Sequence, residues 1–181
     1  MKNSALLFSV LLFLLFLFAC GEPKVKPSVA EIDGNELPSQ ESWDDTIYFS
    51  KNGKLQAILV TSHLREFNEA KLKLLDSVNA RFYDKNEKIN STLVSDSGKV
   101  DDAKKEFTAL GNVVLRGSQG RVLYTDELSW NSKSEKIYTD AKVKIIDGDE
   151  TLVGVGLTSD KNLENYVIRK ITFITTEEKI K

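Results

Sequence analysis

The sequence has little of the side-chain chemistry that most enzymes use. Its 181 residues include one cysteine and one histidine, so Cys20 cannot form an intramolecular disulfide and any histidine-based site would depend on His63 alone. The chain contains no Gly-x-Ser-x-Gly elbow and no glycine-rich phosphate loop. Scattered carboxylates such as Asp101-Asp102 are the remaining acid/base candidates. These absences predict a protein that is not an enzyme and that uses no cofactor and no metal.

Three local motifs could suggest a site, but each has a simpler structural interpretation. His63 follows Thr61-Ser62 in a stretch typical of a strand. Asp147-Gly148 between two apolar runs predicts a tight hairpin turn instead of a calcium loop, because the other ligand positions of such a loop are missing. Thr125-Asp126 and Thr139-Asp140 recur, and short polar side chains of this kind bond the local backbone where strands bend or end.

Charge of either sign is not in excess. The chain has 25 lysines and arginines against 27 aspartates and glutamates, a formal net charge of −2. A nucleic-acid-binding protein normally presents a concentrated basic face. The sequence shows no such concentration, so nucleic acid is not an expected partner.

The first residues indicate export and a membrane anchor. Lys2 precedes an apolar run over 5–18, which is shorter than the roughly 20 residues needed to span a bilayer and is typical of a signal peptide. The run ends in Leu17-Phe18-Ala19-Cys20, which resembles the bacterial lipobox. We therefore expect a signal peptide over 1–19 and lipidation of Cys20, which would hold the protein on a membrane. The alternative is an ordinary signal peptide with an incidental cysteine.

Proline is confined to one stretch of the exported chain. Pro23, Pro27 and Pro38 all lie before residue 42, in a segment without apolar periodicity, so 20–42 is expected to be a flexible linker. The rest of the chain has no proline, as expected for long paired strands. Apolar residues alternate there with polar ones or glycine, for example at Val143 and Ile145, and again at Val153, Val155 and Leu157, with turn signals at Asn52-Gly53, Ser97-Gly98, Ser118-Gln119-Gly120 and Asp147-Gly148. A strand is favoured over a helix for 66–77.

Internal repetition suggests how these strands are organised. Similar segments at 93–96, 123–126 and 156–160 recur about every 30–34 residues, and the first two are each followed by a second strand, at 111–115 and 141–145. Two strands per unit predict stacked hairpins, as in a jelly roll or a solenoid-like scaffold. The fold class is therefore predicted as all-β, with the folded domain over 43–177.

The order of these motifs resembles the LptC family. Gly111-Asn112-Val113, Tyr124-Thr125-Asp126, Tyr138-Thr139-Asp140 and Gly154-Val155-Gly156-Leu157 carry the resemblance, together with an opening hairpin from Ile47 through Asn52-Gly53 to Ala57. The family is the membrane-tethered periplasmic component of lipopolysaccharide export. Its members commonly use an uncleaved transmembrane helix, whereas this chain has Cys20.

The resemblance implies an open antiparallel β-jelly roll whose apolar interior holds the acyl chains of lipopolysaccharide. On this basis the expected groove lining comprises Val113, Leu115, Leu128, Trp130, Val143, Ile145, Val155 and Leu157. The alternative is that these side chains fill a dry core.

The resemblance also implies partners at both edges of the sheet. Ile47 and Phe49 would face the inner-membrane Lpt ABC transporter, and Ile168, Ile171 and Phe173 an LptA-like periplasmic protein. The family role favours the inner membrane for the anchor, whereas Gly21 after Cys20 leaves the outer membrane open. The rival hypothesis is an envelope lipoprotein that acts as a protein-binding β module and never holds lipid.

Overall fold

The computed structural model describes residues 37–68 and 70–176, and every regular element in them is a strand. The predicted all-β class is confirmed. Nine strands follow one another in the order β1 (Gln40–Lys51), β2 (Lys54–Phe67), β3 (Leu72–Tyr83), β4 (Ile89–Asp101), β5 (Glu106–Arg116), β6 (Val122–Asn131), β7 (Lys136–Asp147), β8 (Glu150–Asp160) and β9 (Tyr166–Thr176).

The predicted boundaries and the anchor meet the structure only in part. The predicted linker and β1 overlap, because β1 already includes Gln40, Glu41 and Ser42. The signal peptide over 1–19 and Cys20 lie outside the described residues. Within the described ranges no helix is long and apolar enough to cross a membrane.

All nine strands form one antiparallel sheet in which each strand pairs with the next along the chain. The predicted turns at Asn52-Gly53, Ser118-Gln119-Gly120 and Asp147-Gly148 are confirmed. The turn predicted at Ser97-Gly98 is wrong, because both residues lie inside β4. The segment 66–77 is mainly strand, as predicted, with a turn between β2 and β3. β1 and β9 form the two edges of the sheet, so it does not close into a barrel.

A line of irregularities crosses the middle of the sheet. Pairing shifts occur in β4–β5, β5–β6, β6–β7, β7–β8 and β8–β9, and Gly111 and Gly156 on this line both have a φ of 75°. Glycine tolerates this φ, and a Cβ at position 156 would also overlap the guanidinium of Arg169. Bulges bend strands and increase their twist. The sheet therefore bends along this line, and the two halves of each long strand face each other.

Buried hydroxyl groups accompany the bend. Thr125 Oγ1 lies 3.2 Å from the carbonyl oxygen of Glu127 and 2.8 Å from that of Lys142. Thr139 Oγ1 accepts a hydrogen bond of 3.0 Å from the backbone N–H of Ala141. These contacts satisfy backbone groups that the shifted pairing leaves without a ladder partner. The structural interpretation is confirmed for the two threonines of the recurring Thr-Asp pairs, whereas Asp140 forms an ion pair with Arg169.

The core lies between the two facing halves of the sheet. Trp130 of β6 is in edge-to-face contact with Phe49 of β1 and with Phe82 of β3, each at a centroid distance of 5.2 Å. These strands are not neighbours in the sheet, so the contacts show that its halves close on each other. The resulting arrangement is the predicted open jelly roll of repeated hairpins.

Candidate functional site

The predicted lining residues lie together inside the folded sheet, with one exception. Seven of them are at most 2% exposed and belong to one continuous apolar cluster: Val113, Leu115, Leu128, Trp130, Val143, Ile145 and Leu157. Val155 is half-buried and pairs with the exposed Lys142, which places it on the outer face. Gly156, with its positive φ, lies opposite two residues of β7, and it breaks the alternation of β8 between Val155 and Leu157. The burial of the other seven fits both a dry core and a closed lipid groove.

The apolar interior reaches the surface at both edges of the sheet. Ile47 and Phe49 of β1 are partly buried and pack against the core, and so do Tyr166 and Ile168 of β9. The remaining two predicted edge residues, Ile171 and Phe173, are 51% and 55% exposed. The interior therefore runs across all nine strands, from one unpaired edge to the other.

The side of the jelly roll opposite the bend is not closed by sheet pairing. Along this side, the two rows of turns at the strand ends contact each other. We call this line of contacts the seam. Lys51, next to the β1–β2 turn, donates through Nζ to the carbonyl oxygen of Lys133 at 2.9 Å and to Oε1 of Glu135 at 3.0 Å, both in the β6–β7 turn. Arg121 donates to the carbonyl oxygen of Leu163 at 2.9 Å in the same way.

A third contact joins the seam near the middle of the chain. Ser91 Oγ donates to the carbonyl oxygen of Lys161 at 2.6 Å. The main chains also approach each other at Gly117, where a Cβ would overlap the carbonyl oxygen of Asn162. Glycine at position 117 is therefore what lets the β5–β6 and β8–β9 turns touch.

The charges at the seam perturb each other. The hydrogen bond from Lys51 lowers the pKa of the Glu135 carboxyl, with Lys161 and Lys85 adding to the effect. Burial lowers the pKa of Lys161, and this is opposed by the charge of Glu135. The hydrogen bond to Asp147 raises the pKa of Arg121. The seam is therefore held by charged and polar groups, in contrast to the apolar interior beneath it.

The only histidine has structural contacts. His63 Nδ1 lies 3.1 Å from Asp76 Oδ2, and its ring stacks on Trp43 with centroids 5.1 Å apart. In residues 37–68 and 70–176, no cluster of three or more His, Cys, Asp or Glu side chains could hold a metal ion. Asp147, in the turn that resembled a calcium loop, pairs with Arg121 at 2.6 Å.

The seam residues are the part of the site that sequence reasoning missed. Lys51, Glu135 and Lys161 lie in or next to turns that are far apart in the chain, and charged residues are common at such positions. No local pattern distinguishes them, because their proximity comes from the bend of the sheet.

Comparisons with known proteins identify a family for this chain. Residues 5–170 match the family model described as lipopolysaccharide-assembly, LptC-related. Comparison with curated proteins finds no match. Among solved structures, LptH of Pseudomonas aeruginosa, described as the LptA-homologous periplasmic component of the lipopolysaccharide transport device, is 10% identical with a TM-score of 0.46; the match covers 76% of this chain and 85% of that one. The family match spans most of the sequence, and the chain therefore belongs to the LptC-related family of lipopolysaccharide assembly.

Proposed function

We propose that this protein receives lipopolysaccharide from the inner-membrane Lpt ABC transporter and passes it to an LptA-like periplasmic protein without changing it covalently. The observation that carries the proposal is the apolar interior that reaches both sheet edges, at Phe49 on β1 and at Ile168 on β9. A ligand in this interior would enter at one edge and leave at the other. The acyl chains are the part of lipopolysaccharide that such an interior fits.

The energies involved are compatible with such a carrier. Removing an acyl chain of about 12 carbons from water is worth on the order of 10 kcal/mol, at about 0.8 kcal/mol per CH₂. Opening the jelly roll along the seam breaks contacts such as Lys51–Glu135, whose side chains are 43% and 42% exposed. Exposed ion pairs contribute only about 0–1 kcal/mol each. Lipid entry could therefore compensate for opening the seam without disrupting the hydrogen bonds of the sheet.

Transfer to neighbouring proteins would use the two edge strands. Unpaired backbone groups on an edge strand accept a strand from another chain, which extends the sheet. We assign β1 to the transporter side and β9 to the LptA-like side. Val167, Ile171, Phe173 and Ile174 give β9 an exposed apolar surface, each more than half exposed. A partner strand added there would continue the apolar interior into the next protein.

The anchor completes the proposal. Acylation of Cys20 would keep the domain close to the membrane that supplies the lipid, and the role of receiving lipid from the transporter favours the inner membrane. The chain between Cys20 and β1 would serve as the tether.

Site-specific photo-crosslinking in cells tests this function. A photoreactive amino acid at position 49 or 168, inside the two edges, should crosslink to lipopolysaccharide. The adjacent positions 48 and 167 are matched controls, because Tyr48 and Val167 point outward and are each 66% exposed. Crosslinks to lipid from 49 and 168 but not from 48 and 167 support the proposal. Crosslinks to proteins alone at all four positions would favour the protein-binding module without lipid transport.

A further inference from the structure

A depression with a volume of about 300 Å³ lies at the seam beside the β1–β2 turn. Four lysines and two carboxylates are among its lining residues, so it is locally cationic in a chain of net charge −2. The charged residues are Lys51, Lys54, Lys85, Lys161, Asp84 and Glu135. We refer to it as the lysine pocket.

The two carboxylates of the lysine pocket differ in their role. Asp84 accepts hydrogen bonds from the backbone N–H groups of Asn86 and Lys88 at 2.8 and 3.0 Å, so its own turn already uses it. Glu135 instead reaches across the seam to Lys51 at 3.0 Å, and its other oxygen lies 3.8 Å from Lys161 Nζ. The carboxylate of Glu135 therefore marks the point on which the lysines converge.

Lys161 is the least solvent-exposed lysine of the lysine pocket. It is 8% exposed, and its one ion-pair partner in the described part of the chain is Glu135, which it shares with Lys51. Burying an ammonium group is unfavourable when its one carboxylate partner is shared with a second lysine. An anion with more than one charged oxygen would satisfy Lys161 and Lys51 together better than Glu135 does.

The lysine pocket also lies next to the apolar interior. Gln56 and Tyr83 line it, and each is adjacent in its strand to a residue with no exposed surface, Ala57 and Phe82 respectively. Phe82 contacts Trp130 in the interior. One amphiphile could thus place its anionic group in the pocket and its hydrocarbon chains in the core below.

We propose that the lysine pocket binds a phosphate group of the lipid headgroup, which displaces the carboxylate of Glu135 and so releases the Lys51–Glu135 contact of the seam. This inference rests on the proposed function, since it assumes that a lipid enters the interior. It adds a second element of recognition, in which charge at the mouth selects phosphorylated lipids. Hydrogen bonds between charged groups are stronger than those between neutral groups, and the lysine pocket is partly shielded from water.

The test measures binding of two lipids to the full-length chain in detergent. One is hexa-acyl lipid A with two phosphates, and the other is the same lipid after enzymatic removal of both. The wild type should bind the phosphorylated lipid at least about tenfold more tightly. Lys161→Met and Lys85→Met should remove most of this preference, because they weaken binding of the phosphorylated lipid more than binding of the dephosphorylated lipid, whereas Lys161→Arg should retain it. Because Lys85 is exposed, its substitution should not affect folding.

Two further variants sharpen the result. Glu135→Gln should tighten binding of the phosphorylated lipid, because it removes the competing carboxylate, whereas a merely structural Glu135 would give weaker binding of both lipids. Lys144→Met is the control, since Lys144 lies on the outer face over Tyr124 and should change neither affinity. Equal wild-type affinities for the two lipids, or lysine variants that behave like wild type, would overturn the proposal.

Inorganic phosphate separates this site from the lipid function. Phosphate should raise the melting temperature of the wild type more than sodium chloride of equal ionic strength, and it should not do so for Lys161→Met. If the wild type binds neither lipid, the proposed function fails and this arm alone decides the site. The absence of a phosphate-specific shift in that case would overturn the anion site as well.

Discussion

The ring of Phe49, on edge strand β1, packs edge-on against the indole of Trp130 on β6, with ring centroids 5.2 Å apart. Four strands separate β1 from β6 in the sheet, so this contact requires the sheet to fold over its own apolar face. The same contact joins an edge of the sheet to the centre of its interior. It defines a path along which a hydrocarbon chain could pass from β1 to Trp130 by displacing side chains instead of breaking backbone pairing.

The first prediction concerns the role of Trp130 in stability. Trp130→Ala should lower the free energy of unfolding by about 3–5 kcal/mol, because it leaves a large cavity between the two halves of the sheet. Trp130→Phe should cost much less, since the indole N–H is buried and has no hydrogen-bond partner among the described residues. Urea denaturation measures both. Trp43→Ala is the control, with an expected cost below about 1 kcal/mol, because Trp43 is 67% exposed. Similar losses for Trp130→Ala and Trp43→Ala would contradict the folded-sheet account.

The second prediction concerns the seam. Gly117→Ala should force the β8–β9 turn away, because the new Cβ would overlap the carbonyl oxygen of Asn162, and we expect a loss of about 1–3 kcal/mol. Hydrogen exchange should become faster over 161–165. Gly120→Ala, in the same β5–β6 turn, also has an unfavourable positive φ, but a Cβ there meets nothing within 4 Å. It should leave exchange over 161–165 unchanged, and equal effects of the two variants would contradict a close contact at the seam.

The third prediction concerns the edge strand β9. Ile171→Asp combined with Phe173→Asp should abolish co-purification with an LptA-like partner, because charge would replace the apolar surface that a partner strand covers. Both residues are more than half exposed, so the domain should stay folded by circular dichroism. Val94→Asp is the matched control, since Val94 is 44% exposed but lies on β4, inside the sheet. Normal co-purification of the double variant would rule out β9 as the contact.

The fourth prediction concerns pH. Lys51 holds the pKa of Glu135 below its ordinary value of 4.5, so folding favours the charged carboxylate. Its contribution to stability is fully present above pH 4.5 and is lost as the pH falls through the lowered pKa. The difference in unfolding free energy between wild type and Glu135→Gln should therefore shrink from about pH 5 downward. Denaturation at several pH values measures it, and a difference independent of pH would disprove the Lys51–Glu135 pairing.

Much of the fold follows from local patterns in the sequence. Alternation places Leu115 and Ile145 on the inner face, and Asn52-Gly53 supplies the positive φ values of 52° and 76° that its turn needs. Both features depend on neighbouring residues only, and so they can be recognised without the structure.

The predictions that were wrong failed because of residues elsewhere in the chain. Gly98 looked like a turn residue, but it lies within β4, where glycine is required because a Cβ would come within 2.7 Å of the ring of Phe107. Val155 looked like an inner residue, but it lies on the outer face because the positive φ of Gly156, opposite the extra residue of β7, breaks the alternation of β8. A bulge in one strand is decided together with the strand beside it, so the alternation of a single strand does not reveal it.

The seam could not be predicted from the sequence, for a related reason. Lys51 and Glu135 are separated by 84 positions, and they meet only because each strand bends at the middle of the sheet. Because successive strands bend along the same line, the two rows of turns at their ends come together. No window of sequence contains that information.

The most direct test of a lipid-holding interior uses the two tryptophans of the chain. Trp43→Phe leaves Trp130 as the only tryptophan, and bromine atoms quench tryptophan fluorescence only at close contact. Lipid A with brominated acyl chains, added to full-length Trp43→Phe protein, should quench the emission of Trp130, whereas unbrominated lipid A should not. Saturable binding of the brominated lipid with no loss of Trp130 emission would show that the acyl chains stay outside the folded sheet.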